Sequence, residues 1–396
     1  MIRSFFADLS RPVALACFFY LAHLLFQEKI ALSMLMAFGA IFCTSFAIAK
    51  RRLRFSWHIL YYPLALYGIV SMISALAAER HIHEWGEPTL WFKMLIFPAG
   101  IVLLREVQKL RAPAVVVHVI VGAGMACWGL IEYAFFNQRD LEHRINGPSS
   151  HVMTFSNLLL PLALMILLLF WHRRTWWLGA AVLVTSLALL LTFTRSVWLG
   201  WSVAVFVILM MKRTPWRVYA LPALVFFVTF MPMDLFSRLW STFDTKQYSN
   251  FDRIRMLEAG VEMIKDRPLL GVGPANVKEA YSLYRKSDAP RSRPPHLHNN
   301  FVQLWAERGI LGLAAYLLLL GLFVRECVRG WPSMWAEIGI AVTVGLTVAG
   351  LFEFNFGDTE VFYLMLDLFA LIAVSLESER AEPVNELAAT AVPVPA

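Results

Sequence analysis

Charge is scarce in this chain. Of 396 residues only 16% are charged, while 59% are hydrophobic and 14% aromatic, against about a quarter charged in an average soluble domain. That shortage excludes an ordinary soluble domain, and the mean hydropathy of +0.60 agrees. Cysteine is sparse too. Cys17, Cys43, Cys127 and Cys327 fall inside apolar runs at no motif spacing, which excludes a disulfide framework and a Cys-x-x-Cys metal pair and leaves four small buried hydrophobes. An Asp-x-Asp pair, which would hold a metal and a nucleotide sugar, is also missing; the nearest approach is Asp358-Thr-Glu360. The Gly271-Val-Gly273 turn has neither a preceding strand nor a third glycine in register, so it is not a dinucleotide loop. As a turn before a short helix it offers backbone N–H groups to an anion.

What the chain has in abundance is apolar runs long enough for a roughly 30 Å hydrocarbon core. About twelve recur along its length, at 12–26, 30–49, 56–76, 89–104, 114–136, 152–171, 176–193, 197–211, 218–231, 301–324, 334–352 and 361–376. The fold class is therefore an all-α integral membrane protein with about twelve transmembrane helices. Placing the N-terminus in the cytoplasm puts roughly sixteen Lys and Arg on the inward connections against five outward (Lys29, Arg80, Arg139, Arg144 and Arg195), as the positive-inside rule requires. Both termini are then cytoplasmic. The first run lacks a cleavage site and reads as a retained span. The net charge of +7 is mostly the inner belt, which suits anionic lipid head groups rather than nucleic acid.

The organisation follows from these runs: a transmembrane bundle over 1–233 carrying spans one to nine, one large outward loop over 234–300, spans ten to twelve over 301–376, and a disordered cytoplasmic tail over 377–396. Within the loop, Ile254, Leu257, Val261 and Ile264 form one apolar stripe on a helix that Pro268 stops. That helix is expected to lie along the membrane or to cap the bundle.

The loop returns to the bilayer through "PPHLHNNFVQLWAERGILGL", residues 294–313, where hydrogen-bonding side chains crowd the mouth of a span. His298-Asn299 is followed after nine residues by Gly309 and after two more by Gly312. On a helix the two glycines share a face and permit close helix approach. This pattern, with "RINGPSSHVMTFSNLLLPL" around Arg144, "LTFTRSVWLGW" around Arg195 and "RIRMLEAGVEMIKDRPLLGVGP" before the histidine, resembles the O-antigen ligase/polymerase superfamily, and within it the O-antigen ligases (lipid A-core:surface polymer ligases).

The resemblance implies a GT-C-like membrane glycosyltransferase of the bacterial inner membrane, with its active site on the periplasmic side. It would move O-antigen polysaccharide from undecaprenyl diphosphate to a hydroxyl of the lipid A–core oligosaccharide, without metal, cofactor or nucleotide sugar. O-antigen polymerases and protein O-oligosaccharyltransferases share the lipid-linked donor and stand as alternatives. A polysaccharide-lipid transporter is the alternative of a different class, expected to show midplane charges and internal repeats.

Such a transfer needs a base for the acceptor proton and cations for the diphosphate. His298 suits the first role, since histidine is readily neutral near pH 7. Arg195, at a membrane boundary where an unpaired cation is costly, suits the second, with Arg267 beside the glycine turn and Arg144 behind them. A salt bridge from Arg195 to Glu353, Asp358 or Glu360 is the structural reading of the same residue. His296 is auxiliary or structural, and no carboxylate is spaced to complete a metal site with the two histidines. Arg253, Arg255, Arg291 and Arg293 rank below the others, as solvated loop cations.

Overall fold

The computed structural model describes residues 8–27, 29–78, 86–135, 144–149, 151–212 and 248–390. The expected span at 218–231 and the first part of the loop lie outside these residues. All regular structure among the described residues is helical. In chain order the helices are α1 (Arg11–Leu25), α2 (Ile30–Ala49), α3 (Tyr61–Ala77), α4 (Gly86–Met94), α5 (Ile96–Glu106), α6 (Arg111–Phe135), α7 (Val152–Arg173), α8 (Trp176–Leu191), α9 (Arg195–Met211), α10 (Tyr248–Asp266), α11 (Val277–Tyr284), α12 (Asn300–Arg329), α13 (Met334–Ala349) and α14 (Thr359–Thr390).

Five of these segments are long and apolar enough to cross a membrane: α2, α6 with its leading turn, α7, α12 and α14. Five more apolar helices, α1, α3, α8, α9 and α13, are shorter. The protein is a multi-pass, all-α membrane protein, but the full count of twelve does not emerge. The run at 89–104 is broken near Leu95 into α4 and α5, neither of which spans hydrocarbon at 1.5 Å per residue.

The last helix is the hub. Of the apolar window of α14, 94% is buried within the protein, and it packs on α5, α7, α12 and α13. Near one end, Asp367 fixes it to α1: His23 Nε2 lies 3.1 Å and Gln27 Nε2 2.7 Å from the same Asp367 oxygen, while His23 Nδ1 donates to the Ser33 carbonyl of α2 at 3.1 Å. Polar groups in an apolar core must find partners, so this set specifies how the three helices meet. At the arginine-rich end α14 does not stop at Leu376. It runs on to Thr390, so much of the segment expected to be a disordered tail is helix. Arg105 donates to Glu377 at 2.7 and 3.0 Å, Arg111 to Ser378 at 2.6 Å and Arg380 to Glu326 at 2.8 Å. These bonds extend the helix beyond its apolar run.

The loop has a core of its own, built from Met256, Ala259, Met263, Val272, Val277, Tyr281, Leu297 and Ala306. The apolar stripe expected on α10 is therefore misplaced. Ile254 and Val261 are exposed, and the buried face runs through Asp252, Met256, Ala259 and Met263, because α10 turns that side toward Leu297 and the start of α12.

Candidate active site

Three short pieces of chain meet at the head of α12. The first is the extended segment 294–299 and the second the turn after α13, residues 350–358. The third is the first turns of α10. Asn299 caps α12: its side-chain oxygen accepts from the N–H groups of Phe301 and Val302 at 2.9 and 3.0 Å, satisfying two orphan donors of the helix start. Its Nδ2 holds the Leu351 carbonyl at 2.9 Å. Asn300 continues the latch, with its N–H on the Gly350 carbonyl at 2.7 Å and its Nδ2 on Asn355 at 2.7 Å. The 350–358 turn is thus pinned against the histidines.

Glu353 is what that pinning delivers. It is 4% exposed; Oε2 lies 2.9 Å from His298 Nδ1, and Oε1 lies 3.4 Å from His296 Nε2 while accepting the Phe354 N–H at 3.1 Å. The imidazoles stand edge to face with centroids 4.3 Å apart. The hydrogen bonds assign the protons. The His298 N–H donates to His296 Nδ1 at 3.3 Å, so His296 carries its hydrogen on Nε2, facing Glu353. His298 carries one on Nδ1, and its Nε2 has no hydrogen-bond partner among the described residues. His298 itself sits at φ +52°, an uncommon left-handed position for a non-glycine residue.

Electrostatics fit that assignment. Burial acts to raise the Glu353 carboxyl, but the hydrogen bond from His298 and the electrostatic influence of His298, His296 and Arg253 outweigh it and hold the group below its ordinary value. Burial pushes His296 down to about 4, against the pull of Glu353 and with the help of His298 and Arg253. His296 is therefore neutral near pH 7. His296, His298 and Glu353 each offer one atom within 4.8 Å of the others, the set among the described residues that could hold a metal ion. The carboxylate expected to be missing from the histidine pair is present, brought from 55 residues away in sequence.

The arginines separate. Arg195, at the first position of α9, donates to Asn250 Oδ1 at 3.2 Å, not to Glu353, Asp358 or Glu360. Arg253 lies three residues further along α10, hence on the same face of the helix. It feels Glu353 and Asp252, yet makes no hydrogen bond or close ion pair among the described residues although half buried. Arg267 stands beyond the other end of α10, near Asp266 at 3.7 Å; sixteen residues of helix separate Asn250 from Asp266, roughly 24 Å at 1.5 Å per residue. The structure thus sets Arg195 against the face of α10 that also carries Arg253, with Arg267 at the far end of that helix. Arg144 donates to the Thr192 carbonyl at 2.8 Å and to Thr194 Oγ1 at 2.6 Å, bracing the turn at Phe193, where φ is +49°, just before Arg195. The loop arginines ranked low are ion-paired apart from Arg253: Arg255 with Glu258 and Asp288, Arg291 with Asp252, Arg293 with Glu279.

The glycines of the motif serve the backbone. Gly309 has φ +66° and ψ −174° and breaks α12, so the two glycines do not form a helix-packing face. A Cβ at Gly309 would collide with the Leu269 carbonyl, and one at Gly312 with the side chain of Arg308. The kink frees carbonyls that the glycine turn then uses: Val272 N–H bonds the Ala306 carbonyl at 2.8 Å and Gly273 N–H the Glu307 carbonyl at 3.0 Å. With Gly271 N–H on the Arg267 carbonyl at 3.0 Å, the turn has spent the donors expected to meet an anion.

Residues 180–317 match the family model described as O-antigen ligase. The chain carries an O-antigen ligase family domain. That ligase-family region holds Arg195, Arg253, Arg267, His296, His298, Asn299, Gly309 and Gly312, and stops short of Glu353. It supports an activity of the O-antigen ligase/polymerase type, a glycosyl transfer at a membrane. No curated protein matches the chain in sequence.

Two residues of the site are not marked by the sequence: by sequence alone Glu353 is a counter-ion for Arg195 and Arg253 a solvated cation. One signal was available for Glu353: two antiparallel helices joined by a short turn return the chain to the level where the first began, which places residues after α13 beside His298.

Proposed function

We propose that the protein is an O-antigen ligase of the bacterial inner membrane, with both termini cytoplasmic and its site facing the periplasm. It transfers O-antigen polysaccharide from undecaprenyl diphosphate to a hydroxyl of lipid A–core. The observation that carries the reading is the His298–Glu353 pair, with His298 Nε2 and the half-buried Arg253 both lacking a hydrogen-bond partner among the described residues. Glu353 fixes the His298 tautomer, as a carboxylate does for a base histidine, so Nε2 takes the proton of the acceptor hydroxyl as its oxygen attacks the anomeric carbon. The glycosidic C–O bond to the diphosphate breaks, and the leaving diphosphate carries the electron pair away. Arg195 and Arg253 hold that developing charge, Arg pairing with phosphate through its planar fork. Arg267, by its distance along α10, acts at the glycine turn rather than on the diphosphate, and Arg144 acts by bracing the Arg195 turn.

This arrangement needs no metal: the Glu353-facing nitrogens of both histidines are engaged as donors, and the arginines supply the positive charge. EDTA should leave the rate unchanged, and loss of activity that added divalent metal restores would assign the triad to an ion instead.

The purified protein in nanodiscs, given undecaprenyl-diphosphate-linked glycan and lipid A–core, is expected to extend lipid A–core. Lengthening of the donor glycan with lipid A–core ignored would make it a polymerase, and glycan appearing on a peptide would make it a protein O-oligosaccharyltransferase. Movement of the lipid across the bilayer without any new glycosidic bond would indicate a transporter.

A further inference from the structure

A cavity of about 330 Å³ opens at the arginine-rich end of the bundle. It lies toward the start of α13, the opposite end of that helix from Glu353. Its rim carries Arg111, the first residue of α6, and Arg173, the last of α7. Arg111 is held in place by hydrogen bonds to the Leu104 carbonyl at 2.8 Å and to Ser378 Oγ at 2.6 Å. Arg173 is exposed and makes no hydrogen bond or ion pair among the described residues. Glu379 is the one carboxylate among the lining residues, so two cations face one anion. Behind them the wall turns apolar through Val115, Leu169 and Leu178, and Trp177 and Trp335 flank it.

Each half of this lining has a physical partner. Guanidinium groups at the end of a bundle match a phosphate, and basic pockets between spans are where acidic head groups dock. Paired tryptophans mark the level of the membrane interface, and the apolar wall suits the first methylenes of an acyl chain. A free phosphate would leave that wall wet. A zwitterionic lipid would bring its own cation to a mouth already carrying an excess of positive charge. We propose that this cavity binds one acidic phospholipid, its phosphate between Arg111 and Arg173 and its chain along the Trp177 and Trp335 side. The site is separate from the transfer site and does not depend on which glycan is moved.

The test is lipid binding by the purified full chain in detergent, read by native mass spectrometry and by the shift in Tm. The probes are phosphatidylglycerol, phosphatidylcholine and sn-glycerol 3-phosphate. Phosphatidylglycerol is expected to bind and raise Tm, with phosphatidylcholine and glycerol phosphate giving no comparable shift. Arg173→Gln should weaken phosphatidylglycerol roughly fivefold, the share of one interfacial cation. Ala112→Trp, a substitution at an exposed lining position that fills the cavity without removing a charge, should abolish that binding. Equal binding of the two lipids by wild type would overturn the proposal, as would phosphatidylglycerol affinity unchanged in Arg173→Gln. An equal shift with glycerol phosphate alone would make this a free-phosphate site and overturn the lipid assignment. Should Ala112→Trp fail to fold, the Arg173→Gln comparison decides.

Discussion

The buried carboxylate of Glu353 holds the site in one protonation state, and that makes its removal informative. In Glu353→Gln the negative charge is lost, and the amide can turn either its oxygen or its NH2 toward Nδ1, so the Nδ1–H tautomer is no longer fixed. The expected result is a fall in kcat of about a hundredfold, the lower end of what general acid–base catalysis contributes, with KM for the donor little changed. Steady-state rates with lipid-linked donor check it; an unchanged kcat would remove Glu353 from the mechanism. Arg253 predicts the complementary pattern. Arg253→Ala should weaken transition-state binding of the diphosphate and lower kcat/KM, and Arg253→Lys should recover only part of it, because a point charge lacks the bidentate fork.

The same residues set a pH dependence of stability. His296 titrates at about 4 in the folded protein, below the roughly 6.5 of an unfolded chain. The unfolded state therefore takes up a proton first on acidification, so stability is full above about 6.5 and falls between about 6.5 and 4. Glu353 is held below its ordinary value, so its contribution is also present above the unfolded carboxylate pKa and is lost as pH falls through the folded one. Both effects run the same way. Tm in detergent should drop on acidification below about 6.5, and the drop should be smaller in His296→Gln; a Tm flat from pH 7 to 4 would contradict the burial of this pair.

At the scale of the element, α12 is the part that does most. One helix carries the cap at Asn299, the break at Gly309 and the seat for the glycine turn, so the loop docks on it through backbone hydrogen bonds. Gly309→Ala should lower stability by at least about 1–3 kcal/mol, the scale of a non-glycine residue forced into its φ and ψ region. Gly321→Ala is the control: the same helix, with nothing within 4 Å of the added Cβ. Thermal unfolding of both variants checks it, and equal Tm values would mean that the break is dispensable.

The spacing of His298, Asn299, Gly309 and Gly312 was legible in the sequence, but the purpose of the glycines was not, because i, i+3 spacing presumes an unbroken helix. The stripe on α10 failed for a related reason. Four large aliphatic residues at helical spacing outranked Met256, Ala259 and Met263, yet the interface with Leu297 and Ala306 fits the smaller, more adaptable side chains.

For the whole molecule, hydropathy located most helices to within a few residues and assigned the all-α membrane class. It could not see that the run at 89–104 breaks near Leu95, since a broken run of apolar residues has the same composition as a straight one. Nor could it see α14 continuing past Leu376, because that extension rests on Arg105, Arg111 and Glu326 from other helices. Glu353 was hidden by its distance along the chain: a pair separated by 55 residues becomes a pair only once α12 and α13 have folded back on each other.

The measurement that bears most directly on the central claim is the initial rate of glycan transfer to lipid A–core, in nanodiscs with EDTA, for wild type and His298→Ala. Wild type is expected to be active and His298→Ala slower by about a hundredfold or more, the scale of a lost general base. Wild-type rates in His298→Ala would contradict a base at His298.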